Sequence, residues 1–439
     1  MGSLLLIIFV IMLLWLYRRE GIERVGVSAA IWIAVAWVVI YASRPVTEWF
    51  SQSNGNSVAV SSSDEGNQIE AVVSLSLILT GLMVLLMRGV RLSVIIRNNG
   101  WLFVCYLFWF VSIVWSDYPI ITFKRLFKDL GNVVMVLVVL TERDSVESIK
   151  AVCTRVAYLC IPLSVILIRY FPEWGRFYAG YSGNEVMWVG VATHKNTLGA
   201  LAMVGALFLL WDLLGLQSAN KRGNYVARAF VLAMCWYLLL IANSLTSLLC
   251  AILGSLLLIA FDNSVFRENI GRLEMCGIGV VILVIISNSV FDLNLQEEFL
   301  LGVGRDATLT TRTDIWPILA SFQDNSIVGA GFNTFWAGTR LRLLHETVGG
   351  IIQAHNGYLE TYLNGGAIGV ALLVAVLLAG YRRTRKLLEK DRADGSIRYV
   401  ILFIAIVYNF SEASFNKASI LWPVTVFALM EYHKPSMSR

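Results

Sequence analysis

An all-α membrane protein with many spans is predicted by three features of this 439-residue sequence. Hydrophobic residues make up 57% of it and charged residues only 15%, with a mean hydropathy of +0.69. Uncharged runs of about 15–20 residues recur along the chain, roughly the length that crosses a hydrocarbon layer as a helix. These runs are continuous rather than alternating, which excludes a β-barrel, the other architecture that satisfies its backbone in lipid.

Candidate spans fall at 3–17, 25–43, 70–87, 101–116, 129–141, 151–170, 196–214, 226–243, 245–261, 274–291, 364–381, 398–411 and 418–432, about thirteen in all. The first lies in "GSLLLIIFVIMLLWLYRRE", which lacks a basic start and a small-residue cleavage site and reads as a retained span. Lys and Arg in the short loops set the orientation. Arg18, Arg19 and Arg24, then Arg88, Arg91 and Arg97, then Lys221, Arg222 and Arg228 mark one face. The run "YRRTRKLLEKDR" at 381–392 marks the same face most strongly, and the tail "HKPSMSR" joins it. This is the expected cytoplasmic face. Cys105, Cys153, Cys160, Cys235, Cys250 and Cys276 sit in or beside apolar segments without a Cys-x-x-Cys pair, so buried thiols are expected.

The opposite face receives the segments 44–69, 117–128, 171–195 and 292–357. The chain therefore divides into helices with short loops at 1–290, a large loop at 291–357, and helices with a cytoplasmic tail at 358–439. In the large loop "TDIWPILASF" puts Ile315, Ile318, Leu319 and Phe322 on one face at helical spacing. Thr313 can cap that helix and Pro317 is tolerated in its first turn. An amphipathic helix lying on the membrane surface is expected, ended by Gly329 and Gly331.

Basic residues are scarce on an outer face, so those found there are informative. Lys124, Arg125 and Lys128 stand in "ITFKRLFKDLG", Arg176 in "EWGRFYAG", and His194 with Lys195 in "GVATHKNTLG". Arg305, Arg312, Arg340 and Arg342 stand in the large loop ahead of His355, among the acids Asp292, Glu297, Glu298, Asp306, Asp314, Asp324 and Glu346. Convergent Arg and Lys suit a diphosphate, the first as a rigid fork of donors, the second as a compact charge. Expelling a lipid diphosphate needs that charge stabilised as it develops, and an attacking hydroxyl needs a base, for which His is suited near neutral pH. Arg312, Lys195 and His355 form a minimal set of this kind. Structural alternatives stand beside it: Lys195 snorkelling at a span end, Arg312 paired with Asp314 or Asp306, the Lys-Arg cluster contacting lipid headgroups or paired with Asp117 and Asp129, and His355 as a helix-start residue capped by Asn356. Trp49, Trp115, Trp174, Trp188 and Trp336 read as an interfacial belt.

No Asp-x-Asp pair, phosphate loop of the G-K-[ST] kind, dinucleotide fingerprint or His-Glu-x-x-His motif occurs. No metal and no cofactor is therefore expected, and nothing points to nucleic acid. Span interiors look nearly free of charge, which disfavours a transporter.

Four stretches resemble the O-antigen ligase and polymerase superfamily, in its exopolysaccharide polymerase branch. They are "GVATHKNTLGALA" (190–202), "IANSLTSLLCAILG" (241–254), "TRTDIWPILASFQDNSIVGAGFNTF" (311–335) and "AHNGYLETYLNGGAIGVAL" (354–372). The resemblance spans roughly residues 75–430. It implies a fold like that of lipid-donor membrane glycosyltransferases, and metal-free glycosyl transfer from an undecaprenyl-diphosphate-linked oligosaccharide. The acceptor is then a growing glycan, as in a polymerase, or lipid A-core, as in a ligase, and a chain-length regulator is an expected partner. The motif histidine corresponds to His355, the loop arginine to Arg312 and the mid-chain lysine to Lys195. With these, His194, Arg125, Lys128, Arg305, Asn356 and Glu360 make up the expected substrate-binding set. The sequence departs from the family at Ser244–Ser247, where many members carry Ser-Arg; that phosphate contact is then either missing or supplied by Lys195 or Arg125.

Overall fold

The computed structural model describes residues 2–24, 26–50, 67–179, 185–218, 225–277, 279 and 312–432. The protein is an all-α, multi-pass membrane protein. Among the described residues, five helices are each long and apolar enough to cross a membrane: Gly2–Glu23, Gln68–Met87, Ser145–Tyr170, Lys195–Gly215 and Gly357–Lys390. Leu92–Asn98 and Gly100–Val111 make a sixth if the pair, bent by 105°, is one span. Ile31–Ala42, Tyr225–Ile241 and Leu245–Ala260 are shorter apolar helices. Arg392–Tyr408 and Leu421–Leu429 complete the bundle. The expected span at 274–291 lies almost wholly outside the described residues.

The helix that begins at Lys195 is the buried centre of the bundle, packed against Ser145–Tyr170, Tyr225–Ile241 and Leu245–Ala260. Gly199 permits the last of these contacts, since a Cβ there would lie 2.8 Å from Ser247 Oγ. By contrast, Ile7, Ile8, Ile11 and Leu14 of the first helix and Leu79, Met83 and Leu86 of the Gln68–Met87 helix are exposed. Apolar side chains facing outward are what lipid-facing helices require.

Three expectations are corrected. Segment 117–128 is not a loop: it forms the start of the helix Pro119–Leu140, with Pro119 at a position where its missing N–H costs nothing. Cys276 is exposed, whereas the other five cysteines are buried as expected. The bundle also contains buried charges. At the end opposite His355, Arg24 pairs with Glu20, Glu147 and Asp212, Arg155 with Glu20, and Arg228 with Glu23 and Asp212. Each charge has an opposite partner, which is how buried ions are tolerated.

The large loop builds a small core of its own. Leu319, Phe335, Trp336, Leu344, Ala354 and Leu363 are buried together, with Ile315 and Phe322 packed on them. The helix Arg312–Ser321 thus turns its apolar face to this core. Residues 291–311 lie outside the described residues, as do the side chains of Arg312, Thr313 and Asp314.

Candidate functional site

His355 precedes the helix Gly357–Lys390, which Asn356 caps by accepting from the Tyr358 and Leu359 amides at 3.0 Å each. Its backbone is left-handed, at φ +50°. Asn243, Asn333 and Asn416 share that conformation, at φ +51°, +54° and +55°. Asn and His tolerate it better than most residues, and such strain concentrates where surrounding structure over-determines the backbone. Here Gly357 donates to the carbonyls of Asn409 and Glu412 at 2.8 and 3.0 Å, pinning the turn.

The His355 ring is about a quarter exposed, and its Nδ1 lies 3.3 Å from Glu412 Oε2 and 3.3 Å from Gln353 Nε2. The other carboxylate oxygen of Glu412 accepts from Asn196 Nδ2 at 2.7 Å. Asn196 follows Lys195 at the start of the central helix, and its amide donates to His194 Nδ1 at 3.2 Å. Glu412 therefore joins the mid-chain motif to the closing motif. Lys195 is half-buried at the helix start and makes no ion pair among the described residues.

The turn before Lys195 is held by Arg44, whose guanidinium donates to the carbonyls of Ala192 at 3.1 Å, Gly190 at 3.2 Å and Trp174. Burial lowers the Arg44 pKa and raises that of Glu48. Trp49 and Trp174 stack beside Arg44 with ring centroids 6.0 Å apart. Arg176 donates to Ile168 O at 3.0 Å and lies over Trp188 of the neighbouring strand in a two-stranded sheet.

Glu360 sits one helical turn beyond Asn356 and is 2% exposed. Its carboxylate accepts from Ala354 N at 2.7 Å and Trp336 Nε1 at 2.9 Å, and pairs with Lys417 at 3.1 Å. Trp336 thus supports a buried carboxylate rather than an interfacial belt. Glu360 is thus engaged by Lys417 and two N–H donors while one side of it borders a hollow. That small hollow is lined by Glu360 together with Trp109, Phe332, Asn333, Thr361, Phe415 and Asn416.

Arg125 donates to Asn333 O, and Asn333 donates in turn to Asn416 O at 2.5 Å. Lys128 is half-buried on the same helix and Lys124 is exposed. Asp117 pairs with Arg340, and Asp129 accepts from Tyr106, Asn132 and Trp422, so neither acid serves the Lys-Arg cluster as expected. The guanidinium of Arg340 also pairs with Asp324.

The two glycine motifs are explained by backbone contact. Ala330 and Gly331 donate to the carbonyls of Leu363 and Asn364, at 3.2 and 2.9 Å, and Ala367 and Ile368 donate to those of Ser326 and Ile327, at 2.8 and 3.1 Å. The helix Gly357–Lys390 is broken for this purpose at Gly366, where φ is +59° and ψ −161°. A Cβ on Gly329 would lie 2.3 Å from the Asn364 carbonyl carbon. Ser244 and Ser247 bond to one another at 3.0 Å and Thr246 bonds to Ser411 at 2.8 Å, so the Ser/Thr turn packs beside the Glu412 loop.

That loop, "NFSEASFNKASI" at 409–420, was missed by sequence reasoning. Asn409, Glu412, Asn416 and Lys417 all serve the site, and the available signal was four polar side chains crowded between two spans. Arg305 lies outside the described residues. Arg312 opens a helix whose Trp316 donates to Ala354 O at 2.8 Å, beside His355.

The fold defines a multi-pass α-helical membrane protein whose polar motifs meet at one end of the bundle. No family model matches the chain. It is 26% identical over 343 residues to the exopolysaccharide production protein ExoQ of Rhizobium meliloti (strain 1021), covering 76% of this chain and 75% of the relative.

Proposed function

We propose that this chain is a membrane glycosyltransferase of the O-antigen ligase and polymerase superfamily. It joins repeat units of an exopolysaccharide or O-antigen, supplied on undecaprenyl diphosphate, at the periplasmic face of the inner membrane. The observation that carries the proposal is the meeting of His355 with Glu412 and Asn196 beside Lys195. The likeness to an exopolysaccharide production protein supports the substrate class.

In this reaction an acceptor hydroxyl oxygen attacks the anomeric carbon of the donor and forms the new glycosidic bond. The bond from that carbon to the diphosphate oxygen breaks, and its electron pair leaves with undecaprenyl diphosphate. The hydroxyl proton passes to His355 Nε2 and then to solvent. Lys195 stabilises the charge on the leaving diphosphate from a helix N-terminus, where the dipole also favours an anion. We assign Arg312 the same task, with Arg125 and Lys128 at the edge of the site.

The test is purified protein in detergent with an undecaprenyl-diphosphate-linked repeat unit, products being resolved by size. A ladder of longer lipid-linked glycans is expected. Transfer only to added lipid A-core would make the protein a ligase, and no new glycosidic bond under conditions that retain its fold would refute transferase activity and leave transport. In the source organism, deletion is expected to remove long chains while a single repeat unit still reaches its acceptor.

A further inference from the structure

We propose that Glu412 is the positioning residue of this site: it sets the tautomer of His355 and locks that ring to the segment carrying Lys195. This rests on the proposed role of His355 as the base. Glu412 comes from the loop between the helices Arg392–Tyr408 and Leu421–Leu429, and its side chain is 7% exposed. It holds three points at once. Oε2 faces His355 Nδ1 at 3.3 Å, Oε1 accepts from Asn196 Nδ2 at 2.7 Å, and its carbonyl accepts from Gly357 N at 3.0 Å.

An ionised carboxylate can only accept a hydrogen bond, so the Glu412 contact requires the neutral imidazole to carry its proton on Nδ1. The lone pair then lies on Nε2, the nitrogen left for an acceptor hydroxyl. Gln353 does not compete with this. Its amide can turn over and present oxygen to the same N–H, whereas a carboxylate has no such choice. A bond to a charged acceptor is also the stronger of the two. Asn196 completes the device by holding the second oxygen, so that Glu412 cannot rotate away from His355. The same bond ties the Lys195 end of the central helix to the base. Diphosphate and hydroxyl are thereby registered against each other by one side chain.

The protein has four histidines, so ¹⁵N-labelling of histidine gives four imidazole pairs, and the His355→Asn variant identifies the pair that belongs to His355. In the unmodified protein, the neutral His355 ring is expected to show a protonated Nδ1 and a bare Nε2. A bare Nδ1 would overturn the proposal without any Glu412 variant. In Glu412→Gln, Asn196 Nδ2 still donates to the side-chain oxygen, which turns the new NH₂ toward Nδ1 as a donor, and the ring is expected to move its proton to Nε2. Turnover should then fall about 10²- to 10⁴-fold with the donor KM within about threefold, because a general base is lost while binding remains. Glu412→Asp keeps the charge and should restore both the Nδ1 proton and part of kcat. An unchanged tautomer or full turnover in Glu412→Gln would sink the idea. Full activity in His355→Ala would instead remove the base on which it rests, while the tautomer measurement would still report whether Glu412 orients the ring.

Discussion

Trp316 donates its indole N–H to the carbonyl of Ala354 at 2.8 Å, across a sequence separation of 38 residues. Trp316 lies in the helix that Arg312 opens, and Ala354 is the residue before His355. One bond therefore anchors the loop arginine's helix to the turn that holds the histidine. The amide of Ala354 is used as well, donating to Glu360 at 2.7 Å, so both polar groups of this peptide are engaged just before the left-handed turn.

Trp316→Phe removes the donor and trims the bicyclic ring to a phenyl. It should lower stability by more than about 0.5–1.5 kcal/mol, the worth of one hydrogen bond, because packing is lost as well. If the bond also holds the site together, glycan product should fall further than that loss of fold explains. Thermal melts in detergent run alongside the polymerisation assay separate the two effects.

His355→Ala and Arg312→Ala should each abolish detectable product while the protein still inserts and elutes as the unmodified protein does. Loss of a general base alone accounts for about 10²–10⁴-fold. Full activity in either variant would remove that residue from the site. Product formation should also survive EDTA, and a loss that Mg²⁺ restores would refute a metal-free reaction.

The Glu360–Lys417 pair tests whether buried charge is tolerated only in company. Lys417→Met leaves a carboxylate that is 2% exposed without its cation, though the Trp336 and Ala354 donors remain. A loss of about 2–3 kcal/mol is expected, below the roughly 3–5 of a pair with no other donors. Adding Glu360→Gln should recover part of it. Strictly additive losses in the double variant would mean that the two groups do not interact.

Gly366→Ala should be among the most damaging single-methyl changes in the chain. The residue occupies backbone space open only to glycine, and a Cβ would lie 2.3 Å from the Ile327 carbonyl carbon. We expect a loss of at least about 3 kcal/mol, since strain and overpacking add. Gly350→Ala, where a Cβ meets nothing within 4 Å, is the control and should leave the melting temperature nearly unchanged.

Much of the helix layout was legible in advance because lipid imposes a length and a hydropathy on every span. The expected boundaries at 70–87 and 245–261 correspond to helices Gln68–Met87 and Leu245–Ala260. Pro119–Leu140 was half missed because Lys124, Arg125 and Lys128 interrupt its apolar run. The helix Gly357–Lys390 begins earlier than hydropathy indicates, since the turn from Gly357 to Gly365 is polar and packs on the loop core.

The sequence by itself determined an all-helical, multi-pass protein and the order of its polar motifs, because apolar length and charge asymmetry act locally along the chain. Only the tertiary structure decided which motif side chains meet. Asn196 and Glu412 are separated by 216 residues, and Arg125 and Asn333 by 208. Such partners are selected by how helices pack and how backbone turns are pinned, and no local periodicity records that choice. Glu412 is the clearest case: in sequence it is one acid in a short connection, and in the fold it holds the histidine, the asparagine and the first amide of a helix.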